Sequence, residues 1–192
     1  MYLALRDLRF AKGRFMLMGG VVALITLLLV LLSGLTAGLG NQSTSALAAL
    51  PADQIVFGAP AGTSAKASFT ESEVTRGQWA EWSSREGVAH ADLLGISQTR
   101  FQAVGPAGTP SGTASVAVFG TEGTGLAPAP VAEGTVVIGS SLAEELELQA
   151  GSPATVGGTE LTVSAVVPDQ WYSHTGVVWT TLGDWRKLAR IT

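Results

Sequence analysis

The chain has 192 residues, 11 basic and 15 acidic side chains, a formal net charge of −4 and no cysteine. The missing cysteine excludes disulfides, thiolate metal sites and a lipid-modified cysteine. The acidic balance argues against a nucleic-acid partner, which needs a cationic face.

The charge is divided unevenly. Arg6, Arg9, Lys12 and Arg14 stand against Asp7 alone in residues 1–14, for +3, whereas seven basic and fourteen acidic residues follow, for −7. Between Arg14 and Asp53 there is no charge at all. Phe15 to Leu39 is apolar apart from Thr26, Ser33, Thr36 and glycines. As a helix those residues reach about 37 Å, more than the ~30 Å hydrocarbon core of a bilayer. A signal-peptide core is only about 7–15 residues long, so the length favours a retained transmembrane helix over 15–39. Ala46-Leu47-Ala48 has cleavage-site character and keeps a secreted product as an alternative. Positive flanks stay inside, which predicts a cytoplasmic segment at 1–14 and an extracytoplasmic remainder. No ionisable residue lies in the span, so no proton relay is read there. Gly34 and Gly38 are one turn apart, a spacing that lets a second helix approach.

Residues 40–52 are small and polar and read as a stalk broken by Pro51. The remaining residues, 53–192, suffice for one domain or two small subdomains. Asp53 to Phe57 reads as a first strand. Thr70 and Glu73 have capping-box spacing and predict a helix to about Arg85, with Trp79 and Trp82 turned to the core. Strand-like residues run from Val88 to Val104 and from Thr113 to Phe119, around a Gly-Pro turn. Gly120 to Val131 reads as an exposed loop; its "GTEGTG" lacks the lysine and helix of a phosphate loop.

From Glu133 the pattern sharpens. Thr135 to Ile138 is a buried strand, and Gly139-Ser140-Ser141 leads into a short helix, Leu142 to Leu148. Gly157-Gly158 is a two-residue hairpin turn between 154–156 and 160–167. Gly176 to Thr180 is a further strand, and a helix starts at Thr181 or Gly183-Asp184. The fold class read from these elements is α+β: one amino-terminal membrane helix, then a mixed α/β domain rich in hairpins.

Catalytic chemistry finds little support. The only histidines are His90 and His174, so no paired-His metal motif and no Ser-His-Asp set is assembled. Glu144, Glu145 and Glu147 read as a solvated helix face. No catalytic, metal or cofactor site is expected. His174 follows Trp171-Tyr172 and precedes an apolar strand. Tyr172 and His174 either fix a turn by hydrogen bonding or present groups to a ligand.

The stretch "VVIGSSLAEELELQAGSPATVGGTELTVSAVV", with "LRDLRFAKGRF" at the start and "WYSHTGVVW" at 171–179, resembles the FtsX-like (MacB-type) permeases of ABC transporters. Gly151-Ser152 stands where that family usually has Gly-Asp. The "WYSHTGVVW" segment is similar to the subgroup of heme exporters or DevC-like permeases. The resemblance implies an extracytoplasmic MacB-like domain at 53–192, a permease dimer in the plasma membrane and a separate cytoplasmic ATPase that hydrolyses ATP. It also implies a hydrophobic substrate such as heme, for which His174 and Tyr172 would be the candidate residues. Such permeases continue with further membrane helices, so the chain is expected to be the amino-terminal part of one, truncated or split. The alternative reading is a membrane-anchored interaction or assembly module without transport.

Overall fold

The structure is a computed structural model that describes residues 12–59, 62–64, 66–69, 72–105, 108–122 and 125–190. The chain divides into two units, Met1–Asn41 and Gln42–Thr192.

The first unit is helical. Helix α1, Lys12–Ala48, begins in it and ends in the second unit. At about 1.5 Å per residue its 37 residues extend for some 55 Å. Every described side chain up to Gln42 is exposed, including Met16, Leu28 and Leu35. A surface apolar on all sides is the pattern of a helix whose solvent is lipid. Thr26 and Thr36 donate to the carbonyls of Val22 and Leu32, at 2.8 and 2.9 Å, so their hydroxyls do not meet hydrocarbon unpaired. Lys12 and Arg14 lie in the first turn; Arg6 and Arg9 lie outside the described residues.

The second unit is built on seven strands: β1 (Leu94–Val104), β2 (Pro110–Thr121), β3 (Thr135–Gly139), β4 (Pro153–Val156), β5 (Thr159–Val167), β6 (Trp171–Tyr172) and β7 (Thr175–Thr181). They are ordered β2-β1-β4-β5-β3-β7-β6, and a parallel pairing of β2 with β7, Val116 opposite Gly176 through Thr121 opposite Thr181, closes six of them into a ring. Closure removes open sheet edges, which would otherwise pair with other chains. β6 stands outside the ring as a short hairpin partner of β7. Three short helices complete the unit: α2 (Arg76–Ser83), α3 (Ser140–Glu145) and α4 (Leu182–Ala189).

Strand alternation sorts the core into two layers. Phe101, Val116, Val118, Val136, Ile138, Val156, Leu161, Val163 and Val178 form one buried cluster, joined by Leu142 of α3 and Leu188 of α4. The intervening residues Ala117, Phe119, Val137, Val177 and Trp179 form a second cluster that includes Ala46 of α1. Strands β2, β3 and β7 are therefore buried on both sides and read as continuous apolar runs. α4 crosses the ring where Gly95 and Gly120 leave room for Trp185; a Cβ at either glycine would fall 2.3 Å from that ring or its Cβ. Trp185 Nε1 also donates to Ser97 Oγ at 3.0 Å. Gly157 and Gly158 take positive φ, 54° and 90°, as a two-residue hairpin turn requires.

Several expectations are corrected. Asp53 to Phe57 is not a strand: among the described residues no strand pairs with it, and Phe57 instead packs edge-to-face on Phe69, centroids 4.9 Å apart. The helix expected from Thr70 starts at Arg76, because Thr75 and Gln78 form the working capping box; Thr70 lies outside the described residues. That helix buries no residue: Trp79 donates to Ala91 O at 2.8 Å, and Trp82 carries the Arg85 guanidinium at 4.3 Å. The segment read as an exposed loop packs Leu126, Ala127, Ala129 and Val131 against the second cluster. The helix expected over 142–148 runs from Ser140 to Glu145 and gives way to a left-handed Glu147, φ 53°.

Candidate functional site

The site is assembled around the β6–β7 hairpin. Ser173 and His174 form its two-residue turn with φ 49° and 64°, a left-handed pair matching the twist of the strands. The turn uses no glycine, so local strain is borne by what surrounds it. Tyr172 is half-buried, its ring edge-on to Phe119 and Phe69 with centroids 5.6 and 5.8 Å away. Burial raises its phenol pKa above the ordinary value. Phe119 in turn contacts Trp179 at 5.0 Å, and Trp179 Nε1 donates to Gln170 at 2.8 Å.

The exposed edge of the hairpin is bonded to the last turns of α1. Trp171 N donates to Ser45 Oγ at 2.9 Å, and Ser45 Oγ approaches Trp171 O at 3.5 Å. Ser173 N donates to Ser43 O and His174 N to Gln42 O, each at 3.0 Å. His174 Nε2 lies 3.3 Å from Ser43 Oγ. Helix groups thus take the place of the neighbouring strand that β6 lacks.

On the other side of the hairpin lies a shallow recess of about 200 Å³, walled by His174, Trp171, Ser141, Glu145 and Asp169 over Val116 and Leu142. It is smaller than the ~300–1,000 Å³ usual for small-molecule pockets. Asp169 holds its wall together. Its carboxylate accepts from Ser141 N at 2.9 Å and from the Ser141 hydroxyl, capping α3, whose N-cap Gly139 offers no side chain. Desolvation pushes the Asp169 carboxyl up, but the hydrogen bonds from Ser141 and Ser140 outweigh it and hold the pKa below the ordinary value. A side chain at 139 would collide with Asp169 Oδ1, at 2.6 Å.

The sequence-derived candidates are placed as follows. Tyr172 and His174 share the hairpin but point to different surroundings: the Tyr172 ring enters the aromatic cluster, while His174 is exposed and lines the recess. Gly34 and Gly38 lie on the exposed part of α1, where an added Cβ would meet nothing within 4 Å. His90 is exposed and pairs with Asp92 at 3.1 Å. Among the described residues, no group of three His, Asp or Glu is placed to hold a metal ion.

Sequence reasoning missed Ser43 and Ser45, whose partners are some 130 residues away, and Asp184. Asp184 is buried, accepts from Gly134 N at 2.8 Å, Thr181 Oγ1 at 2.9 Å and Lys187 Nζ at 2.9 Å, and fixes α4. Desolvation raises its pKa, but the donors led by Lys187 prevail and keep it below the ordinary value.

A family model described as MacB-like periplasmic core domain matches residues 5–191. No curated protein matches the chain.

Proposed function

Because the chain belongs to the family of MacB-like periplasmic core domains and is thus a component of an ABC-type transporter permease, we propose that it couples ATP hydrolysis in a separate cytoplasmic ATPase to export of a hydrophobic substrate. The observation that carries this reading is the build of α1. One helix is apolar on every face over the length of a bilayer, and its final turns, from Gln42, form part of the folded domain's own core through Ala46. ATPase closure would displace the membrane helix, and the domain would follow it. Lys12 and Arg14, with Arg6 and Arg9 before them, set the amino terminus on the cytoplasmic side and the domain outside. A second permease copy, packed on the Gly34–Gly38 face, completes the proposed assembly.

The same burial speaks against release by cleavage after Ala48. That cut would remove Ala46 and Leu47 from the second core cluster and Ser45 from β6.

The test is co-purification of the chain from membranes with a candidate cytoplasmic ATPase. A stable complex whose ATPase activity requires the permease is the expected result. A chain that remains in the membrane with no ATPase bound would favour the anchored assembly module instead.

Heme is one hydrophobic substrate that this reading accommodates. His174, exposed at the recess, supplies the imidazole that would ligate iron. Spectral titration of the protein with heme, before and after His174→Ala, tests it: an unchanged spectrum removes His174 as a ligand.

A further inference from the structure

The hydrogen bonds between α1 and the β6–β7 hairpin form a set with an unusual property. Four backbone groups of β6 and its turn, Trp171 N, Trp171 O, Ser173 N and His174 N, meet an oxygen or hydroxyl of Gln42, Ser43 or Ser45. The opposite side of the same hairpin is bound into the ring: Trp171 pairs with Gly176, Tyr172 with Thr175, and Thr175 Oγ1 donates to Tyr172 O at 2.8 Å. β7 then continues between β2 and β3, with Val178 in one core layer and Trp179 in the other. Ala46 and Leu47 of the same helix end meet the second cluster through apolar contacts, which can slide, whereas hydrogen bonds of 2.9–3.0 Å to β6 and its strained turn cannot be stretched without breaking.

We propose that the β6–β7 hairpin is the coupling element of this permease component, clasped to the helix end by Ser45, Ser43 and Gln42 so that a displacement of α1 moves β7 and the wall of the recess with it. The proposal rests on the transport reading above and assigns positioning roles to particular groups. Ser45 is the side chain that matters most, since its hydroxyl both accepts from and donates to one strand residue. Ser43 and Gln42 act through backbone carbonyls, which most substitutions preserve. The His174 imidazole adds a side-chain contact to a turn already held by its amide.

The chain assembled with its ATPase in phospholipid vesicles, followed by hydrogen-exchange mass spectrometry with and without ATP, tests the proposal. In the unaltered complex ATP should change exchange both in residues 42–48 and in residues 169–177. In Ser45→Ala the Trp171 amide should exchange about fivefold faster without ATP, as expected for the loss of one hydrogen bond. The ATP-dependent change at 169–177 should fall by half or more, while that in 42–48 persists. Ser45→Thr keeps the hydroxyl and should restore the hairpin response, which a merely destabilised fold would not do. A full hairpin response in Ser45→Ala overturns the proposal and leaves the transport reading standing. An unaltered complex in which ATP changes neither segment overturns both.

Discussion

The exposed helix and the strand ring use the same residue types under opposite rules. Over residues 15–39 the chain places leucine, valine and methionine on an exposed surface: Met16 is 81% exposed and Val30 64%. In the ring the same kinds of residue vanish from solvent; Val118, Val136 and Ile138 are fully buried. The difference follows from where each backbone finds its hydrogen bonds. A helix satisfies its peptide groups internally and can be apolar all round once lipid replaces water. A strand cannot, so its apolar residues are useful only when neighbouring strands exist on both edges, which the ring provides and the α1 end supplies for β6. The two regions therefore have separate sources of stability, one from the bilayer and one from closure.

That separation can be broken most strongly from the helix side. Leu28→Arg places a guanidinium in the middle of the apolar span and should cost about 3 kcal/mol of membrane insertion. Carbonate extraction of membranes should release a large share of the variant. The thermal midpoint of the folded domain should not move, because Leu28 belongs to the first unit and is a member of neither core cluster. A variant that also lowered the domain's midpoint would show that the two regions share their stability.

From the ring side, the largest effect is expected at Asp184. Asp184→Ala leaves Gly134 N and Thr181 without their acceptor and Lys187 with only Glu133, and should destabilise the domain by about 2 kcal/mol. Membrane retention should be unaffected. The carboxyl has a lowered pKa in the folded state, so its contribution is fully present above the ordinary carboxylate value of about 3.9 and fades as pH falls through the folded one. Chemical denaturation at pH 7 and pH 3 checks the sign: the deficit of the variant should shrink at the lower pH.

The two regions also differed in how far they could be read. The helix was legible because its signal is composition over 25 residues, and composition needs no partner. So were the Gly157-Gly158 hairpin, the strand at Thr135 and the helix capped by Thr181, all of which depend on local chemistry. What failed was anything decided at a distance. Asp53 to Phe57 alternates like a strand but, among the described residues, has no neighbour to pair with. Thr70-to-Glu73 and Thr75-to-Gln78 both satisfy a capping-box pattern, and spacing alone does not choose between them. Trp79 and Trp82 have core spacing, yet one meets a carbonyl and the other a guanidinium. Ring closure rests on β2 meeting β7 about sixty residues later, for which neither strand carries a signal. Of the candidate site, the residues themselves single out Tyr172 and His174 and leave open whether they fix a turn or meet a ligand. Its clasp to α1 was not legible, because Ser43 and Ser45 in a small polar stretch look like any solvated helix end.

The smallest expected effect lies where helix end and ring meet. His174 has φ 64°, a conformation that costs a non-glycine residue about 1–2 kcal/mol. His174→Gly removes that strain, keeps the amide that bonds to Gln42 O, and gives up the 3.3 Å contact with Ser43 together with some chain entropy. The balance should be a gain below about 1 kcal/mol, read as a midpoint higher by a degree or two for a domain of this size. A clear loss instead would mean that the imidazole, and not the backbone of the turn, holds the helix end to β6, and the importance assigned to Ser45 would pass to the Ser43–His174 pair.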